Sequence, residues 1–521
     1  MWDDKIIKVQ ELREQHRSGG GPERIRRQHE SGKLTAYERI SLLLDEGSFV
    51  EIDSCMSTDI GSWADRDPKV YPGDGVVTGW GLVNGRKVCV AAEDFTVIGG
   101  TLGKAHAQKI IRLQDLALLM RVPIIFLNDS GGARIEEGIN ALSGYGEMFQ
   151  RHVKSSGVIL QICAILGPCS GGACYSPALC DFVFMVNGIS KMFITGPAVV
   201  EAALGQRPSL EELGGGNMHA CVSGCIHGLY DTEQACLKGI RQLLCMLPPC
   251  AGGTIPEGAS NKASTKKAEK INWKSLVPDD PRKAYDMRSV ICALFDSTKE
   301  IFELSPRFAE NAITALGRLG GKVTGIIANQ PARKTGALDC DASDKIARFI
   351  RFCDCFGIPL LTLVDVPAFL PGTQQEQMGI IRHGAKILYA YAEAGVPKIS
   401  LIIRKAYGGA YIAMNSKSLG ADVSYAWPIA EIAVMGSEGA VKILKKKELG
   451  KAPDPQAMFE QEKKIYEDRF LNPDIAMARG YVDEVILPEE TRQCLISTFA
   501  FLEDKPRGAG ARPEGHGNMP V

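Results

Sequence analysis

Residues 161–178 read QICAILGPCSGGACYSPA, an apolar run that ends in two adjacent glycines, Gly171 and Gly172. Short apolar runs of this kind favour a buried strand, and the residues after the glycines are compatible with a helix. A second stretch, ISLIIRKAYGGAYIAM at 399–414, places Gly408 and Gly409 after another apolar run. Two strands that each enter a helix through a glycine pair indicate a duplicated site.

The two halves of the chain share landmarks at a nearly constant separation. VPIIFLNDSGGAR at 122–134 corresponds to IPLLTLVDVPAFLPG at 358–372, and MFITGP at 192–197 corresponds to EIAVMGSEGA at 431–440. The matched residues lie between 235 and 240 positions apart. Self-similarity at a fixed spacing marks repeated units, so the sequence predicts an internal duplication.

Within each half, short runs rich in Val and Ile alternate with longer helical patterns such as AHAQKIIRLQDLALLM at 105–120. This alternation predicts an α/β fold in which buried strands lead into helices. A segment rich in Gly, Ser, Pro and Lys at 248–270 is typical of a surface linker. We therefore predict an N-terminal domain at 1–257, which begins with an added helical segment, and a C-terminal domain at 268–510.

Composition narrows the classes of function. The 521-residue chain is 45% apolar and 23% charged with a net charge of −1, which is ordinary for a globular protein and gives no field that would attract nucleic acid. The charged N-terminal segment lacks the order of a secretory signal, and no apolar run reaches the roughly 18 residues of a membrane span. The 16 Cys lack zinc-type spacing. We expect a cytoplasmic protein with no metal site, no nucleic-acid partner and no membrane insertion.

A glycine pair between a strand and a helix has a chemical use. Without a Cβ the backbone can approach a ligand closely, and the first N–H groups of the helix are free to donate. Such donors can hold the oxygen of an enolate formed from a thioester, and each contributes roughly a hundredfold to a thousandfold in rate. A tight turn or close helix packing is the alternative for one glycine pair, whereas two pairs at equivalent positions favour oxyanion binding.

Other catalytic groups have weaker support in the sequence. Cys169, Ser170 and Ser130 are possible nucleophiles, but no G-x-S-x-G elbow surrounds them. His219 and His227 could act as a base, and a structural role explains them as well. The segment GGTLGK at 99–104 lacks the spacing of a phosphate-binding loop. We therefore do not expect this chain to use ATP itself.

Long motifs spread over nearly the whole chain resemble those of one enzyme family. They include GPCSGGACYSPALCDF at 167–182, ELGGGNMHACVSGCIH at 212–227 and SYAWPIAEIAVMG at 424–436. On these motifs the chain resembles the carboxyltransferase subunits of biotin-dependent acyl-CoA carboxylases, in particular propionyl-CoA carboxylase beta subunits. It is also similar to the methylmalonyl-CoA decarboxylase alpha subunit and to the methylmalonyl-using transcarboxylase subunit.

The resemblance implies two tandem crotonase-fold domains, the first on the acyl-CoA side and the second on the biotin side, assembled as a homohexamer whose active sites lie between domains of different subunits. It assigns Gly171 and Gly172 to the turn that binds the thioester carbonyl. It assigns Gly409 and Ala410 to the turn that holds the ureido oxygen of biotin, and Gly408 to biotin binding. Biotin's own nitrogen then serves as the base, which agrees with the lack of a convincing side-chain base.

Further residues are assigned more loosely. Arg404 and Lys405 could meet CoA phosphate or the transferred carboxylate on the biotin side, or they could form structural salt bridges, and Arg134 has the same two interpretations. The aliphatic Ile412 is in the style of the methylmalonyl-using relatives and indicates a short acyl chain. The remaining candidates for substrate binding are Gly131, Gly132 and Tyr145.

Partners and alternatives follow from the same resemblance. No Lys has the Met-Lys-Met setting of a biotinylated carrier, so biotin is expected on a separate protein that a biotin carboxylase subunit loads. The favoured substrate pair is propionyl-CoA and methylmalonyl-CoA, with a decarboxylase or transcarboxylase subunit as the alternative. A crotonase-fold hydratase that uses the acidic pair at 136–137, or a noncatalytic scaffold, is more remote. Ala368, Gln377 and Met378 depart from the family pattern and could narrow the biotin side or simply repack it.

Overall fold

The strands predicted from apolar runs form two separate sheets. The computed structural model describes residues 2–57, 59–60, 69–71, 73–255, 271–506 and 515–520. The chain divides into one unit of Met1–Pro256 with Gly517–Pro520 and a second unit of Glu257–His516. Both units alternate strands with helices, so the predicted α/β class is confirmed.

The first unit contains ten α-helices and ten strands within the part of the chain that the structure describes. The helices are α1 (Trp2–Arg17), α2 (Pro22–Glu30), α3 (Ala36–Leu43), α4 (Lys104–Met120), α5 (Ile139–Ser155), α6 (Tyr175–Ala178), α7 (Pro197–Leu204), α8 (Leu210–Gly214), α9 (Gly216–Met218) and α10 (Glu233–Leu244). The strands are β1 (Val50–Ile52), β2 (Asp59–Ile60), β3 (Lys69–Val70), β4 (Val76–Val83), β5 (Arg86–Glu93), β6 (Ile124–Ser130), β7 (Gln161–Ser170), β8 (Phe182–Val186), β9 (Lys191–Phe193) and β10 (Gly228–Tyr230).

The second unit, over its described residues, has eleven α-helices and eight strands. The helices are α11 (Trp273–Leu276), α12 (Met287–Leu294), α13 (Cys340–Phe356), α14 (Thr373–Met378), α15 (Ile380–Glu393), α16 (Gly408–Ala413), α17 (Ser437–Leu444), α18 (Lys446–Leu449), α19 (Pro455–Phe470), α20 (Pro473–Ala478) and α21 (Thr491–Phe501). The strands are β11 (Phe302–Leu304), β12 (Ala312–Leu319), β13 (Lys322–Asn329), β14 (Leu360–Val366), β15 (Lys398–Tyr407), β16 (Val423–Ala426), β17 (Glu431–Ala433) and β18 (Glu484–Val485).

The two main sheets have the same strand order. The first runs β1-β4-β5-β6-β7-β8-β10 with β9 beside the end of β7, and the second runs β11-β12-β13-β14-β15-β16-β18 with β17 beside the end of β15. In each sheet the first three strands are antiparallel and the remaining pairs are parallel. The carboxyl ends of the parallel strands therefore meet along one edge of each sheet, where both glycine pairs follow their strands.

Burial on both faces explains why these strands are continuous apolar runs rather than alternating ones. Every residue of β6 and of β14 is buried. The core of the first unit includes Leu102, Phe126 and Ile165, and that of the second includes Phe295 and Trp427. Among the described residues, no helix combines the length and the apolar character needed to cross a membrane.

A buried lysine lies at the same place in each unit. Lys109 of α4 donates to the carbonyl oxygen of Gly73 at 2.9 Å, and Lys345 of α13 donates to the carbonyl oxygens of Ser305, Phe308 and Ala312 at 2.8–2.9 Å. Burial lowers the pKa of Lys109 to about 8 and that of Lys345 to about 7. Each ammonium group thus holds a loop against a helix by hydrogen bonds, and burial disfavours its charged form.

We expect Lys345→Met to change how stability depends on pH. The pKa of Lys345 is about 7 in the folded chain and near its ordinary value of 10.5 when unfolded, so the folded state binds fewer protons between these values. Its contribution to the free energy of unfolding therefore rises from about pH 7 to about pH 10, and this gain is lost as the pH falls back from about 10 to about 7. The variant should lack that rise in urea unfolding measured across this range. Lys299→Met, at an exposed lysine, should keep the wild-type slope; a wild-type slope in Lys345→Met would contradict the prediction.

Candidate functional site

The first glycine turn lies at the carboxyl end of β7. Gly171 begins a 3-10 helix, Gly171–Cys174, that leads into α6. Gly171 has a φ of +62°, a conformation that favours glycine. Ala173 and Cys174 are buried, whereas Gly171 and Gly172 remain partly accessible. The first N–H groups of this helical segment have no intrahelical acceptor, so the turn offers donors at an accessible point.

Tyr145 packs against the back of this turn. A Cβ on Gly172 would lie 3.2 Å from Cδ2 of the Tyr145 ring, and the side chain is only 4% exposed. Behind the ring lies a cavity of about 10 Å³ lined by Glu93, Asn128, Tyr145 and Ser176, among others. Tyr145 therefore supports the turn from the interior of the unit. Its contact with an acyl group stays a prediction.

The loop after β6 is held against the same turn. The N–H of Gly131 donates to the Gly99 carbonyl at 2.9 Å, and its own carbonyl accepts from the Ser170 hydroxyl at 2.9 Å. Gly132 has a φ of +103°, and a Cβ there would lie 2.8 Å from the Ser170 carbonyl oxygen. The structure therefore brings both predicted glycines of this loop beside Gly171 and Gly172, with no room for a side chain at Gly132.

The structure favours the salt-bridge interpretation of Arg134 over substrate binding. The side chain is 1% exposed and its Nη1 lies 2.6 Å from Asp74 and 2.7 Å from Glu137. Its Nη2 donates to the carbonyl oxygen of Thr101 at 2.8 Å. An arginine with its guanidinium bonded inside the unit fixes the loop and does not present its charge to a ligand.

The possible nucleophiles and bases are also bonded internally. The Ser130 hydroxyl donates to the Gly100 carbonyl at 2.6 Å, and the hydrogen bond with Cys174, together with burial, raises the pKa of Cys169. His219 lies 2.7 Å from the Met192 carbonyl oxygen and 2.7 Å from the Ser223 hydroxyl. His227 accepts from the Val183 N–H at 3.0 Å. The Ser130 hydroxyl is thus bonded to a backbone carbonyl, and His219 contacts Ser223, which is not one of the predicted nucleophiles.

The second glycine turn follows β15 and opens α16. Gly408 has a φ of +59°, the same left-handed conformation as Gly171. A Cβ on Gly409 would meet no atom within 4 Å, and Ala410 is 1% exposed. Gly409 therefore faces open space, while Ala410 anchors the helix start in the core.

A large apolar cavity of the second unit lies at this turn. Its volume is about 850 Å³, and its wall includes Gly408, Gly409, Ile412, Val434 and Tyr481. Ile412 is 46% exposed, so its side chain faces the cavity rather than the core. A wide, apolar cavity with backbone donors at its edge suits a bicyclic ring that carries one polar carbonyl.

The two basic residues before this turn have different environments. Arg404 is 3% exposed; its Nε donates to Asp365 at 3.1 Å and its Nη1 to the Lys283 carbonyl at 3.0 Å. The guanidinium also lies 4.9 Å from the centre of the Tyr285 ring. The contacts of Arg404 thus correspond to the salt-bridged alternative. Lys405 is partly accessible and pairs across the sheet with Glu431.

Two buried aspartates lie beside the two glycine turns. The motifs alone do not identify them as site residues. Asp129 of β6 accepts from Lys33 and Gln28 at 2.9 Å and forms an ion pair with Arg39 at 2.9 Å. Asp365, at the equivalent place in β14, accepts from Arg404. Their constant separation in sequence was a signal for equivalence, but their cationic partners come from distant segments. Each carboxylate fixes the strand end that precedes a loop of the site.

The predicted departures from the family pattern lie in the second unit near α14. The Ala368 carbonyl accepts from the Leu338 N–H at 3.1 Å, which is a backbone contact that any residue can make. Gln377 and Met378 end α14, and Met378 is 43% exposed. The effect of these side chains on the biotin side stays a prediction.

Comparison with known proteins gives full-length matches. The model of the carboxyl transferase domain family matches residues 27–517. A putative propionyl-CoA carboxylase beta chain of Bacillus subtilis (strain 168) is 52% identical over 510 residues, which is 98% of each chain. The methylmalonyl-CoA decarboxylase subunit alpha of Propionigenium modestum is 50% identical over 518 residues, 99% of each chain.

A solved structure is similar to this chain over the full length of both. A transcarboxylase 12S structure, described as a hexamer with methylmalonyl-CoA and methylmalonic acid bound, has 44% sequence identity and a TM-score of 0.94. The match covers 100% of this chain and 99% of that one. Fold and sequence therefore agree over the whole length of the chain.

Proposed function

Because this chain belongs to the carboxyl transferase family and is a biotin-dependent acyl-CoA carboxyltransferase of the propionyl-CoA carboxylase type, we propose that it transfers a carboxyl group between carboxybiotin and the α-carbon of propionyl-CoA. The observation that carries the proposal is the pair of equivalent turns with left-handed glycines at Gly171 and Gly408. Each turn provides one set of backbone donors, and the reaction generates negative charge on two different oxygens.

The first turn is proposed to bind the acyl-CoA. The N–H groups of Gly171 and Gly172 would hold the thioester oxygen as it gains charge when the α-proton leaves. The loop with Gly131 and Gly132 would line the same site, and Tyr145 would hold the turn from behind. Because the donors are fixed before the reaction, they stabilise the enolate without a reorganisation cost.

The second turn is proposed to bind biotin, which a separate carrier protein brings after a biotin carboxylase subunit has loaded it. The open space at Gly409 and the apolar cavity beside it fit such a ring. When bound, carboxybiotin supplies the carboxyl group and the nitrogen that takes the α-proton. The N–H groups of Gly409 and Ala410 would hold the ureido oxygen, with Gly408 shaping the turn and Lys405 near its base.

The assembly and the architecture follow the same relatives. We propose that the two units are tandem crotonase-type domains that arose by duplication, since their sheets share one strand order. We also propose a homohexamer, because the transcarboxylase 12S structure is described as a hexamer. A cytoplasmic location is proposed with them.

The test uses purified protein, a biotinylated carrier domain and methylmalonyl-CoA, with malonyl-CoA alongside. We expect biotin-dependent formation of propionyl-CoA by mass spectrometry, and methylmalonyl-CoA should react at least about tenfold faster than malonyl-CoA, since one methyl group in an apolar pocket is worth roughly 10- to 200-fold. A carrier that lacks biotin is the control. Loss of neither thioester would refute the proposal.

A second candidate is the alpha subunit of a decarboxylase or transcarboxylase. The identity of 50% to the methylmalonyl-CoA decarboxylase subunit favours it as strongly as it does a carboxylase. The residues of the two turns serve either direction equally. Copurification distinguishes them, because a biotin carboxylase partner indicates carboxylation and a multi-span membrane partner indicates decarboxylation.

A further inference from the structure

A hydrogen-bonded pair of side chains lies immediately before the second turn. Tyr407 is the last residue of β15 and directly precedes Gly408. Its hydroxyl donates to the carboxylate of Glu431 in β17. The two strands are parallel, with Lys405 opposite Glu431 and Tyr407 opposite Ala433. Lys405, Tyr407 and Glu431 therefore share one face of this strand pair, at the base of the turn.

The ring of Tyr407 is fixed on a second side by a glycine. A Cβ on Gly436 would lie 3.2 Å from Cε2 of the ring, so the absence of a side chain there makes room for the phenol. Gly408 is equally confined, since a Cβ on it would lie 3.0 Å from the Val434 carbonyl oxygen. The turn and the phenol are thus packed against the same short segment after β17.

The first unit shows that the fold does not require this pair. Its equivalent strands, β7 and β9, pair Pro168 with Lys191 and Ser170 with Phe193. Where the second unit has Lys405 and Glu431, the first has Pro168 and Lys191, and Ser170 replaces Tyr407. The position in the short strand is therefore negative in the second unit, at Glu431, and positive in the first, at Lys191. Lys191 forms an ion pair with Glu211 at 2.6 Å. The constellation of tyrosine and glutamate belongs to the second turn and not to the duplicated fold.

A carboxylate at this place is unfavourable for an anion site. Glu431 lies opposite a residue three positions before Gly408, which at about 3.3 Å per residue is on the order of 10 Å along the strand. A negative charge at that distance, with an effective dielectric constant of about 20, slows the formation of a second negative charge roughly tenfold. Burial raises the pKa of Glu431 while the Tyr407 hydrogen bond and Lys405 lower it, and Glu467 is a second carboxylate nearby.

We propose that Tyr407 is a positioning residue for carboxyl transfer: its phenol fixes the Glu431 carboxylate by a hydrogen bond and keeps it from moving closer to the Gly408–Gly409 turn, which thereby stays able to bind a developing anion. This inference rests on the proposed function. Burial, followed by the hydrogen bond to Glu431, raises the pKa of Tyr407, so the phenol stays protonated and donates at neutral pH. Lys405 completes the charge balance from the opposite strand.

The test compares Tyr407→Phe, Glu431→Gln and the double variant in the carboxyl-transfer assay, with kcat and KM measured for the acyl-CoA. Tyr407→Phe should lower kcat about tenfold and leave KM for the acyl-CoA within about twofold, since the carboxylate loses its donor. Glu431→Gln should match wild type or exceed it by up to about tenfold, because the amide still accepts from the phenol and no longer opposes an anion at the turn. The double variant should recover to at least about a third of the wild-type kcat.

The recovery separates this role from simple packing. A phenol that merely fills space would give a double variant at least as slow as Tyr407→Phe, and that result, or a Tyr407→Phe enzyme with wild-type kcat, would overturn the inference alone. Tyr389→Phe is the matched control, since Tyr389 is exposed and donates to Glu393 at 3.3 Å; it should not change kcat. A wild-type enzyme that transfers no carboxyl group would instead refute the proposed function, and this inference with it.

Discussion

Replacement of Gly409 by valine should abolish carboxyl transfer and leave the fold unchanged. A Cβ at this position meets no atom within 4 Å, and φ is not in the left-handed region, so the folded chain accepts the side chain. The two methyl groups would project into the space from which, in the proposed function, a ligand oxygen would reach the N–H groups of Gly409 and Ala410. We expect a loss of at least about 100-fold in kcat, the usual effect of removing one oxyanion donor.

The control for this change is Gly450→Val in the same unit. Gly450 is exposed, the nearest atom to an added Cβ is 3.5 Å away, and the residue does not line the cavity at Gly408 and Gly409, so the side chain is accommodated outside that cavity. Both variants should unfold in urea at the wild-type midpoint, and only Gly409→Val should lose transfer. A Gly409→Val enzyme within about threefold of the wild-type rate would rule out the second turn as the oxyanion site.

The first turn gives a less clean test. A Cβ on Gly172 would press on the Tyr145 ring at 3.2 Å, and Gly171 has a φ of +62°. Substitution at either glycine therefore disturbs the backbone or the core as well as the donors. Loss of activity in Gly172→Val would mix a chemical effect with a structural one, which is why the open position at Gly409 is preferred.

The sequence predicted the parts of the molecule that depend on local pattern. Buried strands, the helices between them and the glycine pairs at their junctions followed from apolar runs and from residues that lack a Cβ, and the α/β class is confirmed. The family was also identified correctly, because its motifs are long and occur throughout the chain.

What local pattern could not predict is the direction of charged side chains at the strand ends. Arg134 and Arg404 stand next to the glycine loops in sequence, and both have their guanidinium groups buried against Asp74 and Asp365. Tyr407 and Glu431 were not identified as partners, since their contact depends on the register of β15 with β17. Such contacts depend on pairings between segments tens of residues apart, which a spacing in the sequence does not encode.

Replacement of Arg39 by methionine should strongly destabilise the first unit. Arg39 of α3 is 0% exposed; its Nε lies 2.8 Å from Glu233, and its Nη1 lies 2.9 Å from Asp129. Methionine fills much of the same volume but leaves Glu233 without its cation and Asp129 with Lys33 alone. Breaking a buried ion pair in this way costs about 3–5 kcal/mol, a large part of the roughly 5–15 kcal/mol by which a domain is stable.

Arg27→Met is the matched control, because Arg27 of α2 pairs with Glu23 on the surface and both side chains are more than 60% exposed. Its free energy of unfolding should change by less than about 0.5 kcal/mol, as for other exposed helical pairs. Both variants are compared with wild type by urea unfolding at one protein concentration. A loss below about 1 kcal/mol in Arg39→Met would show that the cluster does not depend on its arginine.

The same variant links stability to the site. Asp129 is the next-to-last residue of β6, and the loop that follows the strand holds Gly132 against the Ser170 carbonyl. Without Arg39, the Asp129 carboxylate has one ion pair fewer, and the end of β6 is held less firmly. The loop with Gly132 would then no longer be fixed beside Ser170 and the first turn. We therefore expect Arg39→Met, assayed below its unfolding midpoint, to lose carboxyl transfer in addition to stability. Full activity in the folded fraction would mean that Asp129 supports the fold and not the turn.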